Sequence, residues 1–273
     1  MKDSFEDRHA QFRSLHDSGC FLLPNPWDAG TAIALASQGY RALATTSSGH
    51  AWSNGKPDGA MNRDQVLEHI RTMVGATNLP VNADFENGFG ANPDQVRESV
   101  LMALGTGLSG ISIEDSTGDS ENPLMPLEES IQRLRAARDA IDSASSRVML
   151  IGRAENFFVG RPDLEDTVLR IRAYAEAGAD CLYAPGIKTE DQIKAVVQAA
   201  QGRPVNLLIG GPSDLALRRA EELGVRRISV GGALARSAWS GFLAASQSIL
   251  DDGTFQNLPS SPTGADLNNL FKS

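Results

Sequence analysis

Gly39-Tyr-Arg-Ala-Leu-Ala44, Gly110-Ile-Ser-Ile113, Gly178-Ala-Asp-Cys-Leu-Tyr183 and Gly224-Val-Arg-Arg-Ile-Ser-Val230 share one pattern: a helical segment, a glycine, then a short apolar or β-branched run. Glycine suits the left-handed turn that closes a helix, and the run after it suits a strand buried on both faces. Working outward, further strands are expected near residues 21–24, 80–85, 147–153 and 204–210, which brings the count to eight. The helices between them carry start signals. Asn92-Pro93 opens one with Val96, Val100, Leu101 and Leu104 on a single face, and Pro126 opens another with Leu127, Ile131, Leu134 and Ala137. Thr189 and Ser213 are the expected N-caps of the helices after strands six and seven. Eight strands alternating with helices predict a parallel sheet closed on itself, the (β/α)8 or TIM-barrel fold of the α/β class, as a single domain. A doubly wound open sheet would want a glycine-rich dinucleotide turn after the first strand, and Pro24-Asn25-Pro26-Trp27 stands there instead.

The barrel is expected over residues 19–255 of the 273. Residues 1–18 precede it as an extra helix with Phe5, Phe12 and Leu15 to bury, and 256–273 follow as a polar tail with a short helix at 264–272. Acidic residues outnumber basic ones, 34 to 25, for a net charge of −9, and no lysine/arginine run stands out, which disfavours a nucleic-acid or anionic-membrane partner. No apolar run approaches the ~20 residues that span a bilayer. The stretch Met1–Phe12 lacks the apolar segment of a secretory signal, so a cytoplasmic location is expected. Two cysteines at unrelated places, Cys20 and Cys181, argue against a disulfide framework or a thiolate zinc cluster. Cys181, in strand six, reads as a buried thiol.

Barrels of this kind carry their chemistry at the C-terminal ends of the strands, so the residues that follow each apolar run are the ones to test. Strand two is followed by Thr45-Thr46-Ser47-Ser48-Gly49-His50, whose backbone N–H groups could hold an acid oxygen. Asn82-Ala83-Asp84-Phe85-Glu86-Asn87-Gly88-Phe89-Gly90 follows strand three, strand four ends in Glu114-Asp115, and strand five ends in Arg153-Ala154-Glu155-Asn156. Asp84 and Glu114 therefore project from adjacent strands. Neighbouring carboxylates repel unless a cation lies between them, and hard oxygen donors suit Mg2+, with Mn2+ the alternative. Arg153, one strand further, can grip an anion with its fork. A metal and a fork arginine together fit a small 2-oxo acid. One acid at a strand end is more often a cap or ion-pair partner, and it is the co-location of three groups that carries the reading. His50 reads as a polar loop residue, and His9, His16 and His69 as surface or packing residues. Gly210-Gly211 and Gly231-Gly232, after the last two strands, resemble a barrel phosphate cradle, although close packing explains them as well.

In the same order along the chain stand Asn25-Pro26-Trp27-Asp28-Ala29-Gly30, Thr46-Ser47-Ser48-Gly49, Gly55-Lys56-Pro57-Asp58-Gly59, Asn82-Ala83-Asp84 with Gly88-Phe89-Gly90, Ile113-Glu114-Asp115, Gly152-Arg153-Ala154-Glu155-Asn156-Phe157 and Ser229-Val230-Gly231-Gly232. This ordered set resembles the isocitrate lyase/phosphoenolpyruvate mutase superfamily across nearly the whole length. The resemblance implies Mg2+ held directly or through water by Asp84 and Glu114, with Asp58 as an outer partner and Asn82 standing where many members have aspartate. It implies a substrate bound by Ser47, Ser48 and Gly49 through backbone N–H groups and by Arg153 at its carboxylate or phosphoryl group, with Trp27 and Asn206 completing the set. The shared chemistry is a metal-stabilised enolpyruvate formed as a C–C or P–C bond breaks. Members swap their last barrel helix between subunits, which implies a homodimer or homotetramer.

The departures narrow the expectation. Lyases of the superfamily carry a Lys-Cys-Gly-His loop, and Ser116-Thr117-Gly118-Asp119-Ser120-Glu121-Asn122-Pro123-Leu124 has no such cysteine, so isocitrate cleavage is not expected. Of the mutase Lys-Thr-Asn loop only Asn122 matches, which leaves phosphonopyruvate hydrolysis open with Asn122 in a catalytic role beside Arg153 and Glu114. The Asp84-to-Gly88 segment reads as longer than the usual Asp-Thr-Gly turn and brings in Glu86 and Asn87. The leading expectation is a Mg2+-dependent lyase or decarboxylase of a small 2-oxo (or 2-hydroxy) dicarboxylic acid. Its rivals are P–C chemistry and a non-catalytic 2-oxo acid binding barrel. Residues 115–126, polar and rich in turn formers, are expected to be a mobile lid.

Overall fold

The computed structural model describes residues 4–253, 255, 258 and 262–272. Gly39, Gly178 and Gly224 take φ of +90°, +102° and +94° just past the ends of helices, the left-handed turn their pattern requires. Gly110 differs. It opens a strand, and a Cβ there would lie 2.6 Å from Asn82 Oδ1 and 2.7 Å from the Phe12 ring, so only glycine fits.

The strands are β1 (Phe21–Leu23), β2 (Leu43–Ala44), β3 (Val81–Asp84), β4 (Gly110–Glu114), β5 (Met149–Arg153), β6 (Cys181–Tyr183), β7 (Val205–Leu208) and β8 (Arg227–Ser229). All pair in parallel in the order β1-β8-β7-β6-β5-β4-β3-β2. The remaining seam is crossed by Ala44 N–H donating to the Pro24 carbonyl at 3.0 Å, so the sheet is nearly closed, as a (β/α)8 barrel. Asn25 clasps the same seam: its Nδ2 donates to the Thr45 carbonyl and its Oδ1 accepts from Val230 and Gly231, all at 2.9 Å.

The helices run in order as α1 (Phe5–Ser14), α2 (Ala29–Ser37), α3 (Ser47–Ser53), α4 (Arg63–Ala76), α5 (Pro93–Leu104), α6 (Leu127–Ser143), α7 (Leu164–Glu176), α8 (Glu190–Ala199), α9 (Leu217–Glu222), α10 (Ala233–Asp252) and α11 (Gly264–Leu270). Alternate strand residues point inward, as the pleat demands, and Phe21, Leu23, Met149, Ile151, Cys181 and Tyr183 fill the barrel interior. Phe12 and Leu15, from α1 and its C-cap, close the bottom of that core. Phe5 does not join them. It stays 51% exposed and covers Gly107, where a Cβ would fall 2.4 Å from its ring. Leu101 likewise lies on the outer side of α5, because Val96, Val100 and Ala103 already fill the buried stripe.

Thr189 caps α8 with a full capping box, as expected. Ser213 does not cap the helix after β7. That helix starts later, at Leu217 after Ala216, and Ser213 Oγ instead accepts from Leu215 N–H within the loop. In the tail, α11 falls within the expected span, and the Phe271 ring that follows it covers Gly30 of α2. Residues 1–3 of the expected N-terminal helix, 254 of the expected barrel, and 256, 257, 259–261 and 273 of the tail lie outside the described residues. Among those described, no helix is long and apolar enough to cross a membrane.

Candidate active site

At the C-terminal ends of β2 to β5 the barrel gathers carboxylates around one guanidinium. Register does much of this: Glu114 pairs with Arg153, and Arg153 with Tyr183, so the three stand side by side. Arg153 Nη1 lies 3.2 Å from Asp84 Oδ1 and 3.0 Å from Glu114 Oε2, and its Nε contacts Glu155 Oε1. Its guanidinium is held between the rings of Tyr183 and Phe158, at 5.2 and 5.9 Å. Asp84 Oδ2 accepts from Ser47 N–H at 3.1 Å, and Asp84 N–H donates to Thr45 Oγ1 at 2.8 Å, which ties β3 to the start of α3.

The charge balance is one-sided. Burial, reinforced by Asp84 and Asp58, pushes the Glu86 carboxyl up to about 8. Burial likewise lifts Glu155 to about 7 against the pull of Arg153, and lifts Glu114 well above the carboxylate range. Asp58 is raised by burial and then by Asp84, with hydrogen bonding from Ser47 opposing. Burial is the first cause at each of these carboxyls, and the neighbouring carboxylates add to it. Glu86 and Phe89, with φ of +45° and +51°, hold a conformation that side chains disfavour, and the turn they shape delivers Glu86 to the cluster.

The donor set suits a hard divalent ion. Its donors are all oxygens, and Mg2+ is commonly held by one or two carboxylates with several retained waters. No group of three or more His, Cys, Asp or Glu side chains closes to ligand spacing among the described residues. Asp84 and Glu114, the carboxylates expected to hold such an ion, instead share Arg153 Nη1.

The cavity beside this cluster has a volume of about 240 Å3 and is lined by Ser47, Ser48, Asp58, Asn82, Asp84, Arg153 and Asn206 among the expected residues. Asn82 precedes Asp84 by two positions, so it faces inward one layer deeper, at the floor of the cavity, where its Oδ1 accepts from Arg227 Nη1 at 3.4 Å. Glu114 contacts Arg153 but is not among the lining residues, and other expected residues lie elsewhere. Gly49 is buried in α3, and its N–H is capped by Thr46 Oγ1 at 3.4 Å rather than offered to the cavity. Trp27 packs on the outer side of α3, 3.0 Å from where a Gly49 Cβ would stand, because only a residue without a side chain lets α3 approach it. Asn122 sits on the 115–126 loop and lines a separate hollow with Asn156, Arg161 and Asp166. That loop is closed by a Ser116–Leu124 bridge, and Asn122 is not among the residues lining the cavity beside Arg153.

Sequence reading missed Trp52, Arg227 and Arg236, which all line the cavity. It also placed His50 in a loop, whereas His50 lies on α3 and stacks face to face on His69 at 3.7 Å, outside the cavity. The neighbour of Glu114, Asp115, points between sheet and helices. There it accepts from Glu155 N–H at 2.8 Å, Arg170 Nη1 at 3.0 Å and the Tyr174 hydroxyl, an architectural role.

The phosphoenolpyruvate phosphomutase family matches residues 12–250. An uncharacterised protein of Mycobacterium tuberculosis is 31% identical over 224 residues, covering 81% of each chain. An oxaloacetate decarboxylase of Rhodopseudomonas palustris (strain BisB18) is 31% identical over 166 residues, 59% of this chain and 55% of its own. A crystal structure from Burkholderia cenocepacia J2315, provisionally described as a lyase/mutase, superposes with a TM-score of 0.94 at 46% identity, over 98% of this chain and 97% of that one. An ordered set of strand-end residues and a family match along most of its length lead to one conclusion: the chain belongs to the phosphoenolpyruvate phosphomutase family, within the isocitrate lyase/phosphoenolpyruvate mutase superfamily.

Proposed function

We propose that the protein is a Mg2+-dependent lyase or decarboxylase that breaks a C–C bond in a small 2-oxo (or 2-hydroxy) dicarboxylate and passes through an enolpyruvate. The observation that carries the reading is the carboxylate cluster itself. Asp84, Glu114 and Glu155 contact Arg153, Asp58 and Glu86 lie within the influence of Asp84, and Asp58, Asp84 and Arg153 line a cavity sized for a small acid. A divalent ion held by Asp84 and Glu114 would supply Lewis-acid stabilisation of negative charge developing on the 2-oxo oxygen. Ser48, at the start of α3, would orient the substrate acid group, while Ser47 gives its N–H to Asp84 and its hydroxyl to Asp58. The Nη1 and Nε atoms of Arg153 are taken by protein carboxylates, which leaves Nη2 to bind substrate. Loss of CO2 from an oxaloacetate-type acid leaves the bonding pair conjugated with the 2-oxo group, and protonation of that enolate gives pyruvate. The decarboxylase from Rhodopseudomonas palustris supports the choice of C–C chemistry.

P–C chemistry, as in a phosphonopyruvate hydrolase, is favoured by the description of the matching family and opposed by the position of Asn122. A homodimer or homotetramer belongs to the same proposal. It is supported by Trp239, Phe242, Leu243 and Leu250, which α10 leaves exposed.

Melting temperatures with Mg2+ or EDTA, each with and without oxalate (a mimic of the pyruvate enolate), test the site. A Mg2+-dependent oxalate shift that Glu114→Ala abolishes is the expected result. Turnover of 2-oxo diacids and phosphorus NMR on phosphonopyruvate then separate C–C from P–C cleavage. An oxalate shift with no turnover of either substrate class would leave the non-catalytic binding barrel standing.

A further inference from the structure

Arg227 heads the fully buried side chains by size, at 2% exposure, and faces the barrel interior from β8. A guanidinium removed from water is costly unless a carboxylate accompanies it. The partners here are neutral. Nε donates to Asn206 Oδ1 at 2.9 Å, Nη1 reaches Asn82 Oδ1 at 3.4 Å and His16 Nε2 at 3.5 Å, and the Phe12 ring lies at 6.0 Å. Burial, helped by Arg227, holds His16 down to about 3, so it too is uncharged at neutral pH. Higher up the same side, Arg236 of α10 contacts the Gly210 carbonyl through Nη2. Neither arginine has an ion-pair partner among the described residues, and both line the cavity. Gly210, Gly231 and Gly232 line it beside them, presenting backbone rather than side chains.

The cavity is therefore bipolar. Its carboxylates gather around Arg153 on the β2–β5 side, while the two cations that no carboxylate neutralises stand on the β8 side. We propose that Arg227 and Arg236 form a distal anion subsite, so that the substrate carries a second acid group, carboxylate or phosphoryl, turned away from the carboxylate cluster. Arg236 contacts that group at the rim, and Arg227 lends its buried charge from the floor. The inference rests on the reading above, in which the cluster end takes the 2-oxo acid function. It adds a specificity rule: acids without a distal charge leave two cations unanswered, and are poor ligands for that reason.

Three probes test it on the Mg2+-loaded protein. Oxalate has no tail, malate has a carboxylate tail, and 3-phosphonopyruvate has a phosphonyl tail. Affinities follow from the concentration dependence of the melting temperature. Arg236→Gln is expected to weaken the tailed probes by roughly tenfold and oxalate by less than about twofold, the loss of one charge-assisted contact. Whichever tailed probe loses more identifies the natural tail as carboxylate or phosphoryl. Arg227→Met should show the same selective loss, with Arg227→Lys, which keeps the charge, losing less. If the Arg227 variants do not fold, Arg236→Gln decides alone, because its side chain is exposed and its folding is safe. Oxalate binding with equal losses, or none, for all three probes overturns the subsite and leaves the proposed function intact. No Mg2+-dependent oxalate shift in the unmodified protein overturns the proposed function, and the subsite with it.

Discussion

Replacing Glu86 with glutamine should make the metal-free protein more stable at alkaline pH, at the expense of metal binding. The Glu86 carboxyl is pushed to about 8 from an ordinary 4.5, by burial first and then by Asp84 and Asp58. The folded chain thus holds this proton where the unfolded chain has released it. Stability attributable to the group is complete below pH 4.5, falls as pH rises, and levels off above about 8. At about 1.36 kcal/mol per pH unit the full gap caps the penalty at about 5 kcal/mol. Glu86 is only partly removed from solvent and its neighbours can relax, so about 2–3 kcal/mol is the working figure. For a domain of this size that corresponds to roughly 4–10 °C in melting temperature. The assay is a series of thermal melts from pH 5 to 9 in EDTA, comparing Glu86→Gln with the unmodified protein. The curves should meet near pH 5 and separate towards pH 9, the variant melting higher. Adding Mg2+ should raise the unmodified protein more than the variant. A gap that does not change with pH, or a variant that melts lower at pH 9, would refute the argument that Glu86 is an under-compensated member of the cluster.

Two further perturbations probe the scaffold that holds the site. Burial drives His69 from 6.5 down to about 3, with His50 stacked against it, so the folded chain resists a proton the unfolded chain accepts. That stability is complete above pH 6.5 and drains as pH falls towards 3, and His69→Leu should flatten the acid limb of the denaturant midpoint between pH 7 and 4; an unaltered limb would count against it. Arg170→Met would leave Asp115, 1% exposed, without its cation, and should cost about 3–5 kcal/mol in denaturant titration. Arg170 Nη1 also holds the Met125 carbonyl at 3.0 Å, so the same variant should speed proteolysis within residues 115–126; equal cleavage rates would mean the loop is anchored elsewhere.

The strands were legible because each is a short apolar run, four of them opened by a glycine, a local signal that survives without knowledge of neighbours. Asp84, Glu114 and Arg153 were legible for a related reason: a barrel brings its strand ends to one rim whatever the rest of the sequence does. What resisted reading was depth and direction. Asn82 and Asp84 share a face of β3 and line one cavity, yet two residues of rise put Asn82 at its floor beside Arg227 and Asp84 at the rim beside Arg153. Trp27 stands in a motif that looks like a binding loop, but it is not in the cavity lining; its neighbours Asn25, which clasps the seam and lines the cavity, and Asp28, which caps α2, fix the loop. Glu86 was noticed as surplus length. Its place in the cluster depends on a left-handed turn that non-glycine residues rarely adopt, which no propensity would have predicted. Arg227 and Arg236 went unseen because their significance is the absence of a carboxylate nearby, a property of tertiary placement alone.

The carboxylate cluster also explains why stability is the right first measurement for this site. Asp84, Glu114 and Arg153 sit on strands whose positions are fixed by a ladder running around the barrel, so they cannot spread apart to relieve repulsion. Mutual repulsion that geometry cannot relax is carried as a free-energy cost of the folded state, partly offset by Arg153 and partly by protons on Glu86 and Glu155. Under the proposed function, a divalent cation held by Asp84 and Glu114 would compete with those protons and offset the repulsion. Its affinity would then rise with pH as the raised Glu86 carboxyl gives up its proton, and its binding would appear as added folding stability. A cation that merely decorated an exposed acidic surface would show neither the pH dependence nor the stabilisation, so the two together distinguish a built site from a solvated patch of negative charge.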